Sequence, residues 1–391
     1  MTLHDQFLLD PDVVYLTHGT FGACPRPVFE EYQRWQRELE RQPVEFLCRR
    51  LGDLLARVRS ELGAYLGSEA EDLLFVPNAT SGVNTVARSL ALGVEDEVLT
   101  TDEEYGAIEL TWEATGARLV RAPLGSLWEH VTDRTRVLSV SHVASPTGAI
   151  LPVAELCARA REVGLLSVVD GAHAPGHVPV DLAAIGADAY AGNCHKWLCA
   201  PKGAGFLWVR PELQERIDPL VVSWGWRERE FAKQHDWQGT RDPAAWLAIP
   251  AAIEFQREWR WDEVRARCHS LAERFVAESG LRAAAEAFGQ MVAVELSPCD
   301  PEDVQRRLRD ERRIEVPCFE HGGRPLLRRP PTPSALRAGL QRRAGHREAA
   351  GGAHAGARVM LRRAGVVRPA HMRLAGIEPA TSRSGGARSI P

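Results

Sequence analysis

Short apolar runs alternate with longer connecting segments from residue 72 to residue 209, and this alternation restricts the fold more than any other feature of the chain. Runs at 72–76, 95–101, 118–122, 136–143, 165–170 and 187–191 have the length of buried strands, while 83–92 and 151–163 carry helical periodicity. Parallel strands need long crossovers, usually helical, so the pattern predicts an α/β fold in which helices cover a mostly parallel sheet. In such sheets ligands collect at the carboxyl ends of the strands.

Two of those ends carry chemistry. The run 165–170 is largely apolar until it stops at Asp170, and the run 187–191 leads into Asn193-Cys194-His195-Lys196. The only lysines are Lys196, Lys202 and Lys233, although arginine is abundant. A lysine amine can lose its proton in a desolvated pocket and condense with an aldehyde, which a guanidinium cannot do. Lys202 follows Pro201 in a glycine-rich turn and Lys233 lies in a polar stretch, so both read as solvated charges. Lys196 is the Schiff-base candidate, although by itself it reads equally as a surface charge after a strand. A strand-end carboxylate followed by a strand-end lysine suits pyridoxal 5'-phosphate, whose ring nitrogen needs an anionic partner and whose aldehyde needs an amine.

The Asp170-Gly171-Ala172-His173 and His195-Lys196 elements resemble the class V aminotransferase family of fold-type I pyridoxal phosphate enzymes, and within it the isopenicillin N epimerase-like proteins. The resemblance runs to about Arg328. It implies an N-terminal segment (1–26) near the active site, a large cofactor-binding domain (27–255) and a smaller C-terminal α+β domain (256–328). It implies catalytic roles for Lys196, Asp170 and His173, with His173 at the phenolic oxygen or the ring face. The turn 78–82 would hold the phosphate through the Ala79 amide and the Thr80 hydroxyl, assisted by Asn193 and His195. From its residues alone that turn reads as a helix cap.

Tyr105 is expected to stack on the ring, and Ser145 stands where desulfurases carry an asparagine near the phenolic oxygen. Thr240, within 237–242, would reach the phosphate of a neighbouring subunit, implying a homodimer. Arg328 would grip a substrate carboxylate, a job suited to a planar guanidinium. His18, in Thr17-His18-Gly19-Thr20-Phe21-Gly22, would lie near the substrate mouth, although it reads equally as a turn histidine. Periodicity predicts two helices over 27–66 broken near Pro43, a long helix over 245–258 joining the domains, and another over 262–278.

The first residues lack a basic region followed by an apolar core, and no apolar run is long enough to cross a bilayer, so the expectation is a cytoplasmic protein with no membrane partner. The eight cysteines form no disulfide framework, and Cys194 and Cys199 lack zinc-ribbon spacing, so no metal is expected. Net charge is −4, but residues 329–391 hold twelve arginines against Glu348 and Glu378, leaving −14 for the preceding body. An acidic body argues against nucleic-acid binding. The segment 329–391 has no Phe, Trp, Tyr, Asp or Lys and reads as disordered, or as the product of a reading-frame shift just after Arg328.

The expected reaction is epimerisation or transamination at the α carbon of an amino acid or derivative. One alternative is cysteine desulfuration or carbon–sulfur lysis, for which Cys318 is the only cysteine near Arg328; following Pro317, it reads as a packed thiol. Another is an inactive scaffold of the same fold. A nicotinamide site is disfavoured because no Gly-x-Gly-x-x-Gly turn follows an early strand.

Overall fold

The computed structural model describes residues 2–329, so the expectations for the arginine-rich tail concern residues outside that range. Its strands are β1 (Val14–Tyr15), β2 (Leu73–Val76), β3 (Glu97–Thr101), β4 (Arg118–Ala122), β5 (Thr135–Ser141), β6 (Leu166–Gly171), β7 (Ala189–Asn193), β8 (Gly205–Val209), β9 (Val292–Glu295), β10 (Ile314–Glu315), β11 (Cys318–His321) and β12 (Arg324–Arg329). Seven of them form the main sheet in the order β2-β8-β7-β6-β5-β3-β4.

From β7 to β4 all neighbours are parallel. Alternate residues of these strands feed two separate apolar cores. Leu138 and Val169 point into one, and their neighbours Val137 and Val168 into the other, as the two-residue period of a strand buried on both faces requires. The exception is β8, antiparallel to both β7 and β2. The short link from Asn193 to Gly205 cannot carry a helical crossover, so the chain returns as a hairpin and brings its turn back over the site.

Strand order reverses between β3 and β5. From β3 the chain steps outward to β4, whereas from β5 it steps the other way through β6 to β7. Such a switch point leaves a crevice beyond the carboxyl ends of the two central strands.

A second, three-stranded antiparallel sheet has the order β11-β12-β9. The helices Trp261–Ser279 and Pro301–Arg312 contribute to its core, which includes Phe275, Val292, Val294 and Leu308. The N-terminal segment is stitched to this part of the molecule: β1 pairs in parallel with β10, and Leu16 enters the same core.

The two helices expected over 27–66 are Arg26–Arg41 and, after two short turns that begin where Pro43 removes an amide donor, Leu51–Leu66. The helix expected over 83–92 starts four residues earlier, at Ala79–Ser89, because the Asn78 side chain caps it by accepting from Ser81 N–H. The segment 245–258 is two helices, Ala244–Leu247 and Ile249–Glu258, and 262–278 lengthens slightly to Trp261–Ser279. Among the described residues no helix is long and apolar enough to cross a membrane.

Candidate active site

Asp170 closes β6 and lies in register beside Ser141 at the end of β5. It is buried, and Oδ1 accepts the Ala172 N–H at 2.8 Å. Burial raises its carboxyl above the ordinary range, opposed by that amide and by Lys196. The residue after it must be small: a Cβ on Gly171 would stand 2.0 Å from Tyr190 Cε1. Tyr190 in turn shares a 2.8 Å hydrogen bond with His142 Nδ1, which makes a rigid backing behind the carboxylate.

Lys196 follows β7, and its Nζ is 3.1 Å from His173 Nε2. The indole N–H of Trp197 donates to His173 Nδ1 at 3.2 Å, so that nitrogen carries no proton. A neutral imidazole then bears its hydrogen on Nε2 and offers it to Nζ, which must present a lone pair. Burial holds His173 well below the ordinary imidazole range, so the neutral ring is the stable one. Burial also lowers the Lys196 amine to about 8; Asp170 pulls it up and Arg328 pushes it down. The contact with His173 and the burial of the amine both favour an unprotonated nucleophile.

His18 is not at a substrate mouth. It is buried against Trp197, and its Nε2 donates to the Lys196 carbonyl at 3.1 Å, so it holds the lysine's backbone from behind. Gly22, at φ +71°, packs beneath the same turn, where a Cβ would lie 1.9 Å from the His195 carbonyl oxygen. The N-terminal residue that does face the site is Thr20, whose hydroxyl meets Arg328.

At the start of the helix Ala79–Ser89 the expected phosphate ligands are partly engaged. The Ala79 amide donates to Asn193 Oδ1 at 2.8 Å and the Ser81 amide to Asn78, which corrects the expectation for Ala79. The Thr80 amide has no partner among the described residues. Asn193 has spent its oxygen and keeps its NH₂ free to donate, and His195 binds the Ala204 carbonyl through Nδ1, leaving Nε2. Amides at a helix start, a side-chain amide and an imidazole form an anion-binding set.

A cavity of about 570 Å³ opens between the two sheets, with Glu104, Tyr105, Ser145, Phe319 and Arg328 among its walls. Tyr105 is 47% exposed, so it is not an ordinary core residue. Arg328 is buried and, among the described residues, bonded only to neutral oxygens: Nη1 donates to the Ser145 carbonyl and, at 3.0 Å, to its hydroxyl, while Nη2 donates to Thr20 Oγ1 at 3.2 Å. Burial brings this guanidinium down to about 10. A buried cation without a carboxylate partner is costly, so the site is built for an anion to arrive. Ser145 thus meets Arg328 through both its carbonyl and its hydroxyl oxygen, and the hydroxyl keeps its hydrogen to donate.

Thr240 is exposed on the loop after the helix Phe231–Asp236. Cys318 is buried on β11, and burial pushes its thiol up to about 12. Sequence reasoning missed Trp197, Thr20 and Glu104. The adjacent Glu103-Glu104 pair at a strand end was the available sign for the last of these.

The residues present fit pyridoxal 5'-phosphate. A buried carboxylate has Lys196 as its neighbouring cation, the same amine loses its proton more easily than an ordinary lysine, and an anion-binding helix start stands nearby. The family described as aminotransferase class-V matches residues 24–349. Isopenicillin N epimerase of Amycolatopsis lactamdurans is 39% identical, over 83% of this chain and 92% of its own. Isopenicillin N epimerase of Streptomyces clavuligerus is 37% identical, over 83% and 91%. A probable cysteine desulfurase of Streptomyces coelicolor is 29% identical, over 83% and 87%.

Among solved structures, a cysteine desulfurase from Thermococcus onnurineus superposes with a TM-score of 0.74 at 21% identity, over 84% of this chain and 92% of that one. A cystine C-S lyase bound to its product cysteine persulfide gives 0.74 at 22% identity, over 82% and 93%. At that identity the likeness concerns the fold, fold-type I. The chain belongs to the aminotransferase class-V family and is an enzyme of the pyridoxal phosphate-dependent kind.

Proposed function

We propose that Lys196 is the cofactor lysine and that the protein acts, like an isopenicillin N epimerase, at the α carbon of an amino acid or amino-acid derivative. The observation that carries this reading is the 3.1 Å contact of Nζ with a neutral His173, beside Asp170 and in reach of a buried, anion-seeking Arg328. The bound cofactor supplies an electron-accepting ring. Asp170 holds the proton on the ring nitrogen, and Tyr105 covers a ring face. Thr80, Asn193 and His195 take the phosphate. Arg328, braced by Ser145 and Thr20, orients the substrate carboxylate, Lys196 with His173 beside it removes the α proton, and return of a proton from the opposite face gives epimerisation.

A relative named as a probable cysteine desulfurase is also similar to this chain. Cys318, however, is packed on β11 with its thiol pushed up to about 12, which argues against a cysteine nucleophile in this chain. The retained lysine, carboxylate and arginine argue against an inactive scaffold.

We also infer a homodimer that places Thr240 near the partner's phosphate site. Trp224 is 90% exposed beside the exposed Val221 and Val222, an apolar surface that a second copy would cover. Light scattering checks this, and a monomer at micromolar concentration sinks it.

The functional test is direct. Full-length protein supplied with pyridoxal 5'-phosphate is incubated with isopenicillin N, or with simple L-amino acids, in D₂O. Deuterium entering the α position with loss of optical purity supports the reading. Sulfide release from cysteine without α exchange on other substrates overturns it.

A further inference from the structure

Two carboxyls meet at the crevice between β3 and β5, and the proposed chemistry accounts for only one of them. Glu104, in the loop after β3, is buried; its Oε1 accepts the Tyr105 N–H at 2.8 Å and the Ser141 hydroxyl. Ser141 is the register partner of Asp170, so a single strand end stands between the two acids. Glu104 Oε2 is buried and has no hydrogen-bond partner among the described residues.

The neighbouring cations are committed elsewhere. Arg121, on the cavity wall, bonds Glu109 and Glu113; Arg328 bonds Ser145 and Thr20; His321 faces Glu103. Lys196 and the Ala172 amide favour the charge on Asp170. The charged groups that bear on Glu104 are therefore Asp170 on β6 and Glu109 on the following helix, and both are acidic.

We propose that Glu104 is a positioning residue that stands in the site as a neutral acid, with its proton on Oε2, so that the pair carries one negative charge and Asp170 holds it. A carboxylate oxygen buried without a donor is far costlier than a hydroxyl in the same place. Oε1, with two donors, is the natural carbonyl end. Burial, reinforced by Asp170, pushes this carboxyl up to about 8, and the bonds from Ser141 and Tyr105 only partly oppose the shift. The charge state belongs to the chain itself; its purpose, a single undiluted anion for one ring nitrogen, rests on the reading above.

The test is the thermal midpoint of the full-length chain and of Glu104→Gln from pH 5 to pH 9, with and without pyridoxal 5'-phosphate. The folded chain keeps this proton after the unfolded chain has released its own. Its stabilising effect is therefore complete below the ordinary glutamate range and is lost as pH rises toward about 8. Glutamine keeps the shape and does not titrate, so the variant's midpoint should rise relative to wild type by several degrees across that interval and then level off. A pH-independent difference, or a wild type that gains on the variant as pH rises, overturns the proposal.

If Glu104→Gln does not fold, infrared spectra of the wild type labelled with ¹³C-carboxyl glutamate replace it. A protonated-carboxyl band from glutamate at pH 7 that vanishes by pH 9 supports the assignment, and its absence at pH 7 overturns it. Failure to take up the cofactor, with the pH-dependent gap intact, counts against the proposed function and leaves the charge of Glu104 assigned.

Discussion

The floor of the site and its far wall are built in opposite ways. Ser141 and Asp170 are register partners at the carboxyl ends of β5 and β6, and Asn193 ends the next parallel strand two residues beyond Asp170's partner Ala191, so the sheet alone gathers the three at one edge. The wall joins Arg328 on β12 to Ser145 in the loop after β5 and to Thr20, 308 residues away in sequence, by side-chain hydrogen bonds. The floor is rigid because it is sheet, backed by Tyr190 and His142. The wall exists only when β1 pairs with β10 and the second sheet closes against the first. In the proposed function cofactor chemistry falls to the floor, and substrate selection to the assembled wall.

The strongest attack on the floor is Lys196→Ala. Covalent retention of the cofactor after borohydride treatment should vanish, and kcat/KM should fall on the order of 10⁴-fold. Retention that survives in the variant places the amine elsewhere. In wild type the rate of cofactor capture should rise as pH increases through about 8, because only the unprotonated amine condenses. A capture rate that climbs only near pH 10 contradicts the lowered amine inferred from its burial and its contact with His173.

Arg328→Leu should separate wall from floor. Cofactor capture and its absorbance should stay unchanged, whereas kcat/KM for a carboxylate substrate should lose about 2–5 kcal/mol, chiefly through KM. Equal damage to cofactor capture would show that the two regions are not independent. The smallest effect is expected from Gly171→Ala, whose new Cβ collides with Tyr190. It should cost about 1–3 kcal/mol of stability by overpacking, read as a lower denaturation midpoint, and a neutral result would mean that the backing behind Asp170 yields.

Much of the floor was legible because strand ends announce themselves. A buried run terminated by Asp170, and another followed by His195-Lys196, can be read from hydrophobic pattern alone. The turn 78–82 was legible as a helix start, but the capture of the Ala79 amide by Asn193 was not, since it joins residues 114 apart. His18 was expected near the substrate mouth or as a turn histidine, because no sequence pattern says whether its ring faces a cavity or the Lys196 backbone carbonyl. In the sequence Glu103 and Glu104 are simply adjacent acids, and only the burial of Glu104 beside Ser141 separates them.

Local pattern determined the elements of this protein and the residue types waiting at their ends, because strand period, helix caps and turn residues act over a few positions. Tertiary structure alone decided the direction of β8, the stitching of the N-terminus to β10, the lowered amine of Lys196 beside His173 and the burial of Arg328 among neutral oxygens. These depend on which side chains lose water and which find a partner across long stretches of chain, and no window of sequence contains that information.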